Sequence, residues 1–566
     1  MSSFNVADYL ATDDLTILLG LIGATLFLLN NLYKPQPLVH PILLGRQSDV
    51  ARVRNAGESA VYRNYSTGLM GRFPVRPSKE AHILADLVRP EGEASRTLWS
   101  TKITNNQLQD RSAAFGTGLL RLAGLKPNQS DVLLLLNGGI EFLISDLALA
   151  SHSILSYTLD SSDLLSSWLD ARRPSAIITH ADLLPQILEL IYDSGVKAGY
   201  TIIVVGEPSQ QTLASVASQI KLLKFSEVER EGVRVEKILS TLPKESDVFT
   251  VHFARHPNEA ILGTQLTHEN LTAGVAATRL LLPQQQVATP LDTIVSAHSV
   301  STPYGRSVLY TAVFEGTSFA TLDSAKIFVA DGVSVGQEDV ADVLSSKRSP
   351  IPSPTILFLK SGHLVALAQE IKKASEEIPV LSSVAWRHKI AGVREGFLTK
   401  ESLWDRLVFD GARAKILGDI AGTMRVGIIS NGGTVPVEAM ADARVVLSVP
   451  LINTYVHPIS AAPILASHPY DFQYFPPEGV KESSHVAHQG PPSVNVEVKL
   501  TGVADDSVEQ GQNPEGVLSV RGPPVGKLLG IEDYVSIPTP QENDGWLSTG
   551  ARGEVRSNGS FVITHL

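Results

Sequence analysis

The chain has no cysteine in its 566 residues. A disulfide framework, a thiolate nucleophile and any Cys-ligated zinc or iron–sulfur centre are therefore excluded. The same absence fits a cytosol-facing chain. Positive charge is in short supply: 47 Lys and Arg stand against 58 Asp and Glu, a formal net charge of -11. A nucleic-acid binder needs a basic footprint to neutralise phosphates, so no nucleic-acid partner is expected. No G-x-S-x-G elbow occurs, which leaves a serine-hydrolase triad without an anchor. There is no internal repeat, and 43 Gly with 33 Pro fall well short of low complexity. What is present is a globular composition, 43% hydrophobic and 19% charged. The length suits two to four domains or one large domain with subdomains.

One long apolar run breaks the pattern. From Leu15 through Leu19 and Leu26 to Tyr33 the chain reads LTILLGLIGATLFLLNNLY without a charge. As a helix of about 19 residues it would extend roughly 28 Å, close to a bilayer's hydrocarbon thickness. Asp8, Asp13 and Asp14 precede it, while Lys34, Arg46, Arg52, Arg54 and Arg63 follow. The positive-inside rule then puts residues 1–14 outside and the bulk in the cytosol. The leading segment has no Lys or Arg, unlike a signal peptide. A transmembrane helix over 15–33 is expected, with membrane lipid as its partner. A monotopic hairpin broken at Pro35, Pro37 and Pro41 is the competing membrane geometry. Residues 34–95, Pro- and Arg-punctuated, read as a connecting segment.

Beyond that, helix and strand signals alternate. Leu108, Phe115, Leu119 and Leu122 sit at helical spacing before Gly124. Short apolar runs at Val132–Leu136, Ala176–Thr179, Thr201–Val205, Thr355–Leu359 and Val426–Ile429 are separated by enough chain for crossover helices. Glu141–His152 reads as one of these helices. Continuous apolar strands with helical crossovers predict buried parallel sheets of the α/β class. Near the end Val494, Val496, Val498 and Leu500 alternate with polar residues, which predicts a small antiparallel subdomain over about 485–566. His252 and His256 stand four apart, but Phe253 replaces the Glu of H-E-x-x-H and Pro257 argues against a helix, so no metal is expected. His268, His298 and His457 read as structural histidines, and Asn431-Gly432-Gly433 as a tight βα turn.

The segment from Ile103 to Asp160 resembles the opening of the AMP-forming adenylating enzymes, especially long-chain acyl-CoA synthetases. The resemblance continues through GTQLTHENLTAG, RVGIISNGGTVPVEAM, VPLINTYVHPISAAP, GVLSVRGPP and GWLSTGARGEV. It covers residues 96–566 in the family's order. It implies doubly wound sheets of the family's N-terminal domain plus a small barrel-like antiparallel sheet, and a long-chain fatty acyl-CoA ligase chemistry using ATP and Mg²⁺.

The motif positions depart from that chemistry. The family's phosphate loop, approximately Y-T-S-G-T-T-G-x-P-K-G, precedes a T-H-x-N stretch that Thr267, His268 and Asn270 match. Gly263 keeps the last glycine, Leu262 stands where the Lys would be and Ile261 where the Pro would be. His256 and Glu259 replace the earlier glycines, which restricts the backbone and sets a carboxylate where phosphate would lie. Tyr455 survives from Y-G-x-T-E, but Ile459 occupies the Mg²⁺-holding Glu position, and an aliphatic side chain cannot ligate a hard cation. Gly545 to Gly550 match the ribose-binding motif until Ala551 takes the place of its Asp. The family would also continue past Leu566 into a C-terminal domain carrying the adenylating Lys. No catalytic residue, no nucleotide cofactor and no metal are therefore expected. The expected protein is a membrane-anchored, catalytically inactive synthetase-like scaffold, regulator or acyl-chain binder, with an active acyl-CoA synthetase as a partner. The endoplasmic reticulum is the expected membrane, ahead of the peroxisome or the mitochondrial outer membrane. Thr564-His565-Leu566 departs from the peroxisomal Ser-Lys-Leu signal. The alternative is an active long-chain ligase with an atypical nucleotide site, for which ATP and Mg²⁺ would be cofactors.

Overall fold

A computed structural model describes residues 14–32, 36–67, 71–89, 94–193, 199–238, 242–256, 260–283, 286–329, 336–377, 379–430, 434–472, 486–532 and 544–565. Three sheets organise them. The first eight-stranded sheet carries the parallel strands Asp131–Leu135, Leu155–Leu159, Ala176–His180, Thr201–Val205, Lys221–Lys224 and Val248–Arg255. Ile261–Thr267 and Lys527–Gly530 extend it as antiparallel edge strands. In the second, Leu451–Tyr455, Val426–Ser430, Ile356–Lys360, Thr293–Ser296, Ser318–Thr321 and Arg96–Leu98 run parallel between two antiparallel edges. The central strands are buried on both faces, which is why they read as uninterrupted apolar runs.

A single apolar core joins the two large sheets, drawing Val132, Leu134 and Ile178 from one and Ile294, Ile356 and Ile428 from the other. The helix Pro303–Glu315 lies within it with every residue buried. Thr302 caps its start by accepting from the Gly305 N–H at 3.2 Å, and Gly316 ends it in the left-handed conformation, φ 73°. The helix carries polar groups into the core, where Arg306 Nε and Nη2 and Ser307 Oγ are buried without a hydrogen-bond partner. Arg306 lies 3.6 Å from Asp146, both almost wholly buried, and the Tyr310 hydroxyl donates to the same carboxylate at 2.9 Å. The helix expected around Leu108–Leu122 forms over Asn105–Gly118 and continues to Ala123, where Gly124 at φ 74° stops it. The helix expected over Glu141–His152 forms at Ile140–Ser151.

The third sheet is antiparallel throughout: Ser48–Arg52, Val61–Asn64, Glu497–Thr501, Glu515–Arg521, Leu547–Val555 and Phe561–His565. Two of its strands come from residues 34–95, the stretch that reads as a connector. Tyr62 pairs with Val498 across it, and Arg63 salt-bridges Glu497 at 2.7 Å. These strands are short and carry few apolar residues, so their periodicity is weak; pairing with a distant segment supplies what the local pattern lacks.

The spanning helix expected over 15–33 requires correction. The helix Asp14–Leu32 forms, but among the described residues no helix is long and apolar enough to cross a membrane. Asn30 and Asn31 lie in its last turn, leaving about 15 apolar-compatible residues, roughly 22 Å of helix against a hydrocarbon core of roughly 30 Å. Tyr33 lies outside the described residues. Leu15 and Leu19 are exposed.

Candidate functional site

The strands Val248–Arg255 and Ile261–Thr267 form a hairpin whose register sets Ala254 opposite Leu262 and Phe253 opposite Gly263. The ladder continues past the strand end, where the His256 N–H donates to Ala260 O at 2.8 Å. Residues 257–259, including Glu259, lie outside the described residues, as do Asn431-Gly432-Gly433. Because strand side chains alternate in direction, Leu262 and Thr264 share one face while Gly263 takes the other. That face borders a cavity of about 460 Å³ whose wall also includes Arg255, His256, Tyr455, His457, Ile459, Thr549 and Ala551. Four separated motif positions, Leu262, Tyr455, Ile459 and Ala551, thus meet around one space.

Gly263 and Thr267 do not line it. A Cβ on Gly263 would stand 2.7 Å from Val251 and 2.8 Å from Phe253, so this glycine serves the packing behind the strand. Thr267 caps the helix His268–Arg279: its hydroxyl accepts from the Asn270 N–H at 3.2 Å, and its own N–H donates to Asn270 Oδ1 at 2.8 Å. The T-H-x-N stretch is a reciprocal capping arrangement that satisfies two otherwise unpaired donors. Asn270 additionally donates to Pro523 O at 2.7 Å, fastening the helix start to the loop before strand Lys527–Gly530. His268 stacks on Phe249 with centroids 5.1 Å apart and accepts from the Leu84 N–H at 3.2 Å. Burial pushes its pKa down to about 4.

The cavity sits where strands of the two large sheets end, the position at which open α/β sheets place their ligands. Asp160 follows one strand end and approaches His252 at 3.6 Å. The rings of His256 and His457 meet edge to face at 5.9 Å. His457 is only partly covered, but loss of solvent, aided by the neighbouring His256, pushes its pKa down to about 4. Burial lowers His256 as well and raises the Tyr455 hydroxyl to about 12. At neutral pH the wall is therefore largely uncharged apart from Arg255. His298, deeper in the second sheet, stands 3.0 Å from the Ser430 hydroxyl, and burial pushes it down to about 3; it is a satisfied core histidine. His252 and His256 lie along an extended strand end, roughly 13 Å apart at strand rise, too far to share one ion.

A hard cation demands several oxygen donors, and a triphosphate demands positive charge or converging N–H groups. Among the described residues the cavity wall offers hydroxyls from Thr264, Tyr455 and Thr549, one arginine, and no carboxylate. Ile459 and Ala551 are almost wholly buried, 1% and 2% exposed, and belong to the apolar core of the small sheet. Leu262, Ile459 and Ala551 add neither charge nor an oxygen donor to this wall. The pairing of His256 with His457 is legible in no motif, since about two hundred residues separate them and only the sheet order brings them together.

Comparison with known proteins agrees with this architecture. No family model matches the chain. Long-chain-fatty-acid–CoA ligase 5 of Rattus norvegicus is 23% identical over 472 residues, covering 81% of this chain and 63% of the relative. The peroxisomal long chain acyl-CoA synthetase 7 of Arabidopsis thaliana is 23% identical over 531 residues, 88% of this chain and 68% of the relative. Among solved structures, a long-chain-fatty-acid-CoA ligase from Archaeoglobus fulgidus superposes with a TM-score of 0.55 at 13% identity, covering 87% of this chain and 84% of that one. The anthranilate CoA ligase AuaEII bound to anthranoyl-AMP gives 0.57 at 14%, covering 86% and 78%. The fold is that of the adenylate-forming ligases. The chain's relatives and structural neighbours are long-chain acyl-CoA synthetases and AMP-binding ligases, and it spans somewhat under two-thirds of the length of the rat relative.

Proposed function

We propose that this acyl-CoA-synthetase-like protein acts in lipid metabolism without adenylating a fatty acid, as a scaffold, regulator or acyl-chain binder. The observation that carries the reading is the aliphatic character of Leu262, Ile459 and Ala551 on one cavity wall. These are the positions where the resemblance implies a phosphate-binding Lys, a magnesium-holding Glu and a ribose-holding Asp. Charge-assisted hydrogen bonds are worth about 1.5–3 kcal/mol each, so losing several removes orders of magnitude of nucleotide affinity. Calorimetric titration with ATP and Mg²⁺ tests this directly. No saturable heat and no fatty-acid-dependent pyrophosphate exchange at millimolar ATP are expected; robust exchange overturns the reading.

A second reading is favoured by one feature of the same wall. Arg255, with His256 and His457 beside it, supplies the nitrogen donors that an atypical phosphate site would use, and exchange activity lost on Arg255→Ala would establish an active ligase. Under the first reading the partner is an active acyl-CoA synthetase, whose related fold offers similar surfaces. Proximity labelling that recovers no enzyme of lipid metabolism removes that partner.

A further inference from the structure

A second cavity, of about 430 Å³, lies apart from the first and shares no lining residue with it. One wall is the end of the helix His268–Arg279 and the turn after it, Ala277, Leu280, Leu281 and Pro283. At 1.5 Å per residue this end is roughly 18 Å from the Thr267 cap. Another wall is the short helix Pro41–Leu44 with Arg46 and Gln47 after it, joined by Asn64 at the end of the strand Val61–Asn64. The volume falls in the ordinary range for small-molecule sites, about 300–1,000 Å³, and most of the lining is aliphatic or proline.

Several of its polar groups are committed elsewhere. Arg46 pairs with Asp49 at 2.5 Å and lies over the Tyr65 ring at 5.3 Å. Asn64 donates to Pro492 O and accepts from Ser66. The Ser467 hydroxyl accepts from the Asn453 N–H at 2.8 Å. Gln47 is the exception. It is 7% exposed, and its amide nitrogen is fixed by donation to Asp471 Oδ2 at 2.7 Å. Among the described wall residues its carbonyl Oε1 is the one buried polar side-chain atom with no partner. A buried acceptor without a donor is unfavourable, a penalty that a donor brought by a ligand removes.

We infer that this cavity binds a single-chain neutral lipid whose head group donates a hydrogen bond to Gln47 Oε1, the hydroxyl of a monoacylglycerol being the simplest case. The apolar walls take the hydrocarbon chain. The neutralisation of Arg46 by Asp49 selects an uncharged head over a carboxylate or phosphate. The cavity is reached past Leu43 and Leu280, 59% and 52% exposed, and Ile42 beside them is 73% exposed, so a chain enters over an apolar lip. This assignment is independent of the nucleotide cavity and stands whether or not the protein adenylates.

The test is equilibrium binding of tritiated 1-oleoylglycerol to the full chain, delivered from cyclodextrin, with methyl oleate as the ligand lacking a donor. One mole bound per mole of protein is expected, with methyl oleate about fivefold weaker, the worth of one hydrogen bond. Leu280→Trp, a substitution at an exposed position, should weaken both ligands at least tenfold while the melting temperature holds. Gln47→Leu should erase the difference between them. Equal binding of the two lipids by the parent chain, binding unaffected by Leu280→Trp, or no stoichiometric binding overturns the assignment.

Discussion

Replacing Ile459 by glutamate restores the acidic residue that the family resemblance places there, and the structure sets the cost. Ile459 is 1% exposed and packs with Tyr455, Ile464, Val496 and Val498 in the core of the small sheet. Its carbonyl accepts from the Gly526 N–H at 2.9 Å, and the next residue, Ser460, bridges to Val525. The backbone is therefore held from the side, and the side chain has little freedom to swing outward. Giving up a buried isoleucine forfeits about 1.5–3 kcal/mol. Placing a carboxyl in its stead adds about 1–3 kcal/mol even if it protonates. Ile459→Glu should therefore lose about 2.5–6 kcal/mol at neutral pH. The variant should regain stability as the solution is acidified, because the introduced carboxyl is then neutral in both states. Urea denaturation followed by tryptophan fluorescence at pH 7 and pH 5 measures both effects, with Ile459→Val as the packing control at about 1 kcal/mol. An Ile459→Glu protein within about 1 kcal/mol of the parent, binding Mg²⁺·ATP below millimolar, would refute the reasoning: the position would then be a solvated metal-ligand site that happens to carry isoleucine.

Three further outcomes follow from the packing. His268 and His298 are buried with pKa values pushed down to about 4 and about 3, from an ordinary 6.5. The unfolded chain binds protons that the folded one refuses, so their contribution is intact above pH 6.5 and is lost as the pH falls from there toward 4; at pH 5 each should cost about 2 kcal/mol. His268→Gln should flatten that part of the stability profile, and an unchanged slope would refute the assignment. Arg306→Met leaves the Asp146 carboxylate without its counter-charge in the core and should cost about 3–5 kcal/mol. Asp146→Asn added to it should recover part, as read by denaturant midpoints. Gly263→Ala forces a methyl against Val251 and Phe253 and should cost about 1–3 kcal/mol, whereas a glycine kept for a ligand would give a stable variant with altered binding.

Much of the parallel-sheet architecture was readable along the chain. Val132–Leu136, Ala176–Thr179, Thr201–Val205 and Val426–Ile429 are buried on both faces, so each announces itself as an apolar run without help from its neighbours. The strands at Ser48–Arg52 and Val61–Asn64 were not readable. Val61–Asn64 takes a strand partner more than 400 residues away, Val498 for Tyr62, and Ser48–Arg52 pairs in turn with Val61–Asn64. The apolar run at 15–33 misled in the other direction. Hydropathy marks a helix there and a helix forms, but among the described residues none is long and apolar enough to cross a membrane. At the site, the alignment of motif positions picked out Leu262, Tyr455, Ile459 and Ala551, which the fold gathers around one cavity. It also picked out Gly263 and Thr267, whose roles turn out to be packing and helix capping.

The amino-acid sequence by itself determined the α/β class, the order of the elements and the chemical poverty of the motif positions. These depend on local periodicity and on which atoms a side chain carries, and both are properties of the residues alone. Tertiary structure decided which of those positions share a space, that His256 faces His457, and that Gln47 keeps an unpartnered carbonyl on the wall of a separate cavity. Such facts belong to crossings between strands and helices far apart in the chain. They exist only once the sheets have paired, because a side chain's partner and its access to water are set by its neighbours in space and not by its neighbours in sequence.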